Sequence, residues 1–203
     1  MVISAKLRPI YYKFVNPIGE KLAALGISPN FLSFSGFVLA IITALWIVFT
    51  KDFLIAGILL IAIALIDVID GTLARVSHKV TKFGSYLDAM LDRYVEGIIL
   101  FAVAYSTGFW ILAFIVLCGA ICTSYAKARA AIEIRINNTD WPEFFERAER
   151  GSIFILGLIL QGLIKSEIYY QNSIFWALVI LAIVSNLTVI QRMIRVRNLM
   201  RGE

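Results

Sequence analysis

Apolar residues dominate six stretches of the chain, at about 30–50, 53–75, 84–106, 108–131, 151–169 and 173–195. Each approaches the length of about 17–25 residues that a helix needs to cross a bilayer. None alternates with period two, so the pattern predicts spanning helices rather than the strands of a barrel. Between the stretches the polar positions fall into short groups. The longest polar connection covers 136–146, with Asn137, Asn138, Thr139, Asp140 and Pro142. Residues of about 5–25 interleave apolar side chains with Lys and Arg and are interrupted by Pro9 and Pro17. That pattern predicts an amphipathic helix lying along the headgroups. Gly26-Ile27-Ser28-Pro29-Asn30 then reads as a helix stop followed by a start, with Ser28 as N-cap and Pro29 at the first helical position.

The expected fold is therefore all-α and integral to the membrane. Six transmembrane helices follow an N-terminal interfacial helix, in one domain over 1–203, with an interfacial segment at 1–29 and a bundle at 30–203. No repeat or low-complexity tract divides it. Composition agrees: 60% of the 203 residues are hydrophobic, mean hydropathy is +0.84, and charged residues make up 16%, against roughly 25% in soluble domains. No cleavable signal peptide is expected in the first 29 residues.

Charge position says more than the net charge of +5. On a six-span topology all but three of the 19 basic residues fall on one side, the exceptions being Lys51, Lys165 and Arg93 within the third stretch. The positive-inside rule puts that side, with both termini, in the cytoplasm. The basic residues read as membrane-surface anchors, and no nucleic-acid partner is expected. Cys118 and Cys122, four apart, read as small core residues on one helix face; His78 reads as a solvated loop residue. Neither suggests a metal site.

The chemistry lies elsewhere. Asp67, Asp70, Asp88 and Asp92 occur inside or at the ends of the second and third stretches. A carboxylate there costs on the order of 2.5–3.5 kcal/mol on insertion scales. Spacings of three and four put each pair on one helix face. The short loop between the two helices lets those faces meet. Four converging carboxylates suit a hard divalent cation, Mg²⁺ or Mn²⁺, as one or two ions, with Ca²⁺ also open. Mg²⁺ commonly joins carboxylates to substrate phosphates, so a phosphate-bearing substrate is expected. Gly71, Ala74 and Gly84 are small residues beside the acids, giving room for a ligand or for close helix packing. Arg75 could pair with a phosphate or anchor the helix at the headgroups.

The run D-x2-D-G-x2-A-R-x8-G-x3-D-x3-D is met by Asp67, Asp70, Gly71, Ala74, Arg75, Gly84, Asp88 and Asp92. It resembles the signature of the CDP-alcohol phosphatidyltransferase family. The resemblance implies a metal-dependent enzyme. A CDP-linked lipid gives its phosphoryl-alcohol group to an acceptor hydroxyl, and CMP leaves. It implies that Asp67, Asp70, Asp88 and Asp92 bind metal and that Asp92 acts as general base. Asp67, Asp70, Gly71, Ala74, Arg75, Gly84 and Asp88 would hold the CDP moiety. Asn30, in the helix start Ser28-Pro29-Asn30-Phe31-Leu32-Ser33, resembles the family's P-N-x-x-[ST] and would line the polar cavity. Membrane homodimers are usual in the family.

The acceptor is read from a second basic group. Lys127 and Arg129 end the fourth stretch, and Arg147 and Arg150 precede the fifth. Several cations beside a metal site suggest a phosphorylated acceptor, which a neutral alcohol would not require. K-A-R-A and E-R-A-E-R are similar to the inositol-phosphate synthase branch of the family. That resemblance implies inositol 1-phosphate as acceptor, with Lys127, Arg147, Arg150 and Arg192 as its phosphate ligands and Arg195 as an alternative. Glycerol 3-phosphate is the second acceptor to consider, and a divalent-cation transporter is the reading from another class.

Overall fold

A computed structural model describes residues 15–134, Trp141, 147–164, Ile168 and 172–201. These form seven helices: α1 over 15–24, α2 Pro29–Thr50, α3 Phe53–Val76, α4 Lys82–Thr107, α5 Trp110–Glu133, α6 Arg147–Ile164 and α7 Ser173–Met200. The polar connection expected over 136–146 lies, apart from Trp141, outside the described residues, as does the first part of the expected interfacial segment.

The stop between α1 and α2 is a Schellman turn. The Ile27 N–H donates to Leu22 O at 3.2 Å and the Gly26 N–H to Ala23 O at 3.0 Å. Gly26 sits at φ +74°, a conformation that costs glycine little and other residues more. Ser28 then caps α2 by accepting from the Phe31 N–H, with Pro29 in the first turn. Asp52 caps α3 through Ile55 N–H. Thr81 accepts from the Gly84 N–H at 2.9 Å at the head of α4. Asn172 caps α7 by accepting from both Ile174 and Phe175. Each cap uses a side chain that supplies an acceptor where the first turn leaves orphan N–H groups.

Four helices, α2, α3, α5 and α7, are long and apolar enough to cross a bilayer. In α4 and α6 the charges at Asp92, Arg93 and Glu96, and at Arg147, Glu149 and Arg150, interrupt the apolar run. Large hydrophobic side chains face outward, among them Phe49, Ile111 and Phe114. This is the surface that lipid, rather than water, would cover. Cys118 is half-buried and Cys122 exposed. The expectation that both are core residues therefore fails for Cys122, because a lipid-facing helix has no need to bury small side chains. Pro17 lies within the helical residues 15–24 instead of interrupting them.

The chain divides into two compact units, 1–102 and 103–203, and the boundary falls within α4. In the first, α2 packs along α3. Gly19 of α1 is buried, and a Cβ there would meet Thr72 Cγ2 at 3.1 Å. In the second, α7 packs on both α5 and α6. Small residues set those approaches: a Cβ on Gly119 would come 2.7 Å from Ser185 Cβ, and one on Gly157 2.5 Å from Ala177 Cβ. Close backbone approach of this kind replaces the hydrophobic effect as the packing force when lipid is the solvent.

Candidate active site

In the first unit, α3 carries Asp67 and Asp70 near its C-terminal end. They lie roughly 21 and 26 Å along the axis from Phe53, so within a hydrocarbon layer of about 30 Å they approach the far interface. One carboxylate oxygen from each of Asp67, Asp70 and Asp88 lies within 4.8 Å of the others. Asp70 is buried and the other two are half-buried. Three like charges at that spacing repel one another unless a cation joins them. An ion held about 2.0–2.6 Å from each oxygen spans roughly 4–5 Å between opposite ligands. The donor set is all oxygen and all anionic, so it fits Mg²⁺, Mn²⁺ or Ca²⁺ and disfavours softer metals.

Asp92, one turn beyond Asp88, is not in that group of three. The distance from its carboxylate to the Arg93 guanidinium is 3.9 Å, and Arg93 also approaches Glu96 at 3.5 Å. The structure thus brings three of the four acids together and sets the fourth one turn along α4 from Asp88.

Ser33 is a partner that spacing could not reveal. Its hydroxyl donates to Asp70 Oδ2 at 2.6 Å across 37 residues of sequence. A hydrogen bond to a charged group is worth about 1.5–3 kcal/mol, and here it fixes how the buried carboxylate faces. Ser33 does close the helix-start run that contains Asn30, which was the only hint. Asn30 lies beside the head of α4: a Cβ on Gly84 would meet Thr81 Oγ1 at 3.0 Å and Asn30 Oδ1 at 3.2 Å. Any side chain at 84 would push into those polar atoms. Arg75 folds back over its own helix, with Nη2 donating to Thr72 Oγ1 at 2.9 Å. A Cβ on Gly71 would stand 3.6 Å from Arg75 Nη1. That is ordinary van der Waals contact, so the guanidinium lies against the Gly71 turn without requiring a glycine there. Ala74 is half-buried on the same helix.

The second unit holds the basic candidates, and burial separates them. Arg150 and Arg192 are buried, at 8% and 7% exposure, whereas Arg147 and Arg195 are exposed and Lys127 is half-buried. The first turn of α6 begins at Arg147, so the E-R-A-E-R run is helical at its end and presents Arg150 inward and Arg147 outward. Arg192 lies roughly 29 Å along α7 from Ser173, about one hydrocarbon thickness. Its Nη1 donates to Thr123 O at 2.6 Å, and its guanidinium carbon is 5.6 Å from the centre of the Trp141 ring. Arg129 pairs with Glu133 on its own helix and is exposed.

The family described as CDP-alcohol phosphatidyltransferase matches residues 26–187. The chain belongs to the CDP-alcohol phosphatidyltransferase family. Among its relatives within that family are two archaetidylinositol phosphate synthases. That of Pyrococcus horikoshii is 33% identical, covering 85% of this chain and 90% of its own. That of Methanothermobacter thermautotrophicus is 31% identical over 94% and 92%. A phosphatidylinositol phosphate synthase of Mycobacteroides abscessus is 30% identical over 94% and 86%. Among solved structures, the Mycobacterium tuberculosis phosphatidylinositol phosphate synthase with CDP-DAG bound is similar at a TM-score of 0.78. It shares 25% identity, over 91% of this chain and 94% of that one. The same protein in complex with manganese and citrate matches at 0.78 and 26%, over 90% and 88%.

Proposed function

We propose that this CDP-alcohol phosphatidyltransferase moves a phosphatidyl-type group from a CDP-lipid to a hydroxyl of inositol 1-phosphate and releases CMP. The observation that carries the reading is the meeting of Asp67, Asp70 and Asp88 oxygens within 4.8 Å. A manganese ion is present in the complex of the mycobacterial relative, and CDP-DAG in another. The synthase relatives carry inositol phosphate products in their names.

In this reading Asp67, Asp70 and Asp88, with Asp92, hold Mg²⁺ or Mn²⁺, as one or two ions. Bound metal would neutralise charge on the diphosphate oxygens as the phosphorus–oxygen bond to CMP breaks. Ser33 keeps Asp70 facing the other acids. Arg75, set by Thr72 beside Gly71, adds positive charge to a diphosphate oxygen. Ala74 and Gly84 leave space for the nucleotide, and Asn30 offers it an amide. Asp92 accepts the proton of the incoming hydroxyl as its oxygen bonds to the lipid-linked phosphorus. Arg150 and Arg192 bind the acceptor phosphate, with Lys127 and Arg147 at its edge. Buried guanidinium groups recognise phosphate well because their planar fork matches its oxygens.

The wider arrangement follows. One module over 1–203 crosses the membrane six times, residues 1–29 lie along the headgroups, and both termini and the site face the cytoplasm. Two copies associate in the membrane. Glycerol 3-phosphate remains the second acceptor, since the same arginines would hold it. The family match argues against the divalent-cation transporter.

The test is turnover of purified protein in detergent with CDP-lipid and Mn²⁺. Inositol 1-phosphate, glycerol 3-phosphate, serine and free inositol are compared as acceptors. Product with inositol 1-phosphate is expected. Product with only the unphosphorylated alcohols overturns the acceptor reading.

A further inference from the structure

We propose that Trp141 is a positioning residue for the acceptor phosphate, its indole face holding the Arg192 guanidinium in the plane from which it grips that phosphate. The inference rests on the reading of Arg192 as a phosphate ligand. Trp141 stands in a stretch of sequence that is otherwise polar, between Asn137-Asn138-Thr139-Asp140 and Pro142, yet it is only 5% exposed. What it covers is a cation. The Arg192 guanidinium carbon lies 5.6 Å from the ring centre, inside the roughly 6 Å reach of a cation–π contact.

Two contacts of the guanidinium bear on this role. The bond from Nη1 to Thr123 O at 2.6 Å sets the position of one nitrogen. The aromatic face lies 5.6 Å from the guanidinium carbon and attracts its charge. Thr123 is itself held, its hydroxyl donating to Gly119 O at 2.7 Å and lying 3.4 Å from Ser185 O. A planar fork bonded at one corner and drawn towards a ring has less freedom than a solvated one. That saves orientation entropy when a phosphate arrives. A leucine is smaller than the indole, presents no aromatic face and attracts no charge.

The test uses the full chain in detergent, with Trp141→Leu and Trp141→Phe beside the unmodified protein. Trp141→Leu is expected to raise KM for inositol 1-phosphate roughly 3- to 30-fold, with kcat and the KM for CDP-lipid within about twofold. Trp141→Phe keeps an aromatic face and is expected to recover most of the loss. Inorganic phosphate should raise the thermal midpoint of the unmodified protein and of Trp141→Phe, but not of Trp141→Leu. Equal KM in the Leu and Phe variants, or parallel rises for both substrates, would make Trp141 a space-filler and overturn the proposal. So would equal phosphate protection of Trp141→Leu and the unmodified protein, while leaving the phosphate reading of Arg192 intact. If phosphate does not protect the unmodified protein and free inositol serves as acceptor, the acceptor reading itself fails and this proposal with it.

Discussion

The acids at the end of α3 and the head of α4 differ from the arginines of α6 and α7 in what holds them. Asp67, Asp70 and Asp88 are gathered mainly by local rules: a three-residue spacing on one helix, a short loop, and a capped restart at Thr81. Their alignment needs only that neighbouring helices turn back on each other. Arg150 stands in the first turn of α6 and Arg192 towards the end of α7, so the two are far apart in sequence although their helices are consecutive. Which arginines turn inward depends on how α5, α6 and α7 pack. Arg192 and Arg195, three apart, end with opposite exposure, and no spacing rule distinguishes them. A local signature thus specifies the chemistry, while longer-range packing specifies which cations accompany it.

The sharpest way to break that contrast is at the acids. Asp70→Ala removes a carboxylate from the group of three, and CMP release from CDP-lipid should fall by about 10³-fold or more. Near-normal release would mean the three oxygens share no ion. Asp92→Asn comes next, with a loss of roughly 10²- to 10⁴-fold in turnover if it is the base. Mn²⁺ binding, followed by electron paramagnetic resonance, should persist, because Asp67, Asp70 and Asp88 remain. Loss of Mn²⁺ with Asp92→Asn would move Asp92 from proton acceptor to principal ligand.

The arginines should show a graded result. Arg192→Lys keeps the charge but not the fork. It is expected to raise the acceptor KM by about 10- to 100-fold, whereas Arg195→Lys, at an exposed position, should leave it within about twofold. Equal effects at both positions would erase the distinction drawn from burial. A smaller loss than at Arg192 is expected from Ser33→Ala. Loss of its bond to Asp70 should weaken Mn²⁺ affinity by about tenfold, since groups that orient a metal ligand typically matter at that scale. An unchanged affinity would make that bond a helix-packing contact only.

The helices themselves were legible because lipid imposes a length and an apolar composition that the sequence must carry openly. The extents of α2 and α3 and the start of α7 follow the hydropathy to within a residue. Charged helix ends were less legible. Helix α6 begins at Arg147, not near 151, and α7 runs on to Met200. Hydropathy stops where lipid stops, but the hydrogen-bonded helix continues into water. Cys122 shows the same limit, since small apolar residues suit both a core and a lipid face.

The acidic signature, its spacing and its oxygen chemistry were determined by sequence alone, because residues within a turn of one helix cannot avoid sharing a face. The bond from Ser33 to Asp70, the inward turn of Arg150 and Arg192, and the cover of Trp141 over Arg192 were decided only by tertiary structure. Each joins residues far apart in the chain. Their pairing depends on the rotation and depth of packed helices, which no short stretch of sequence encodes.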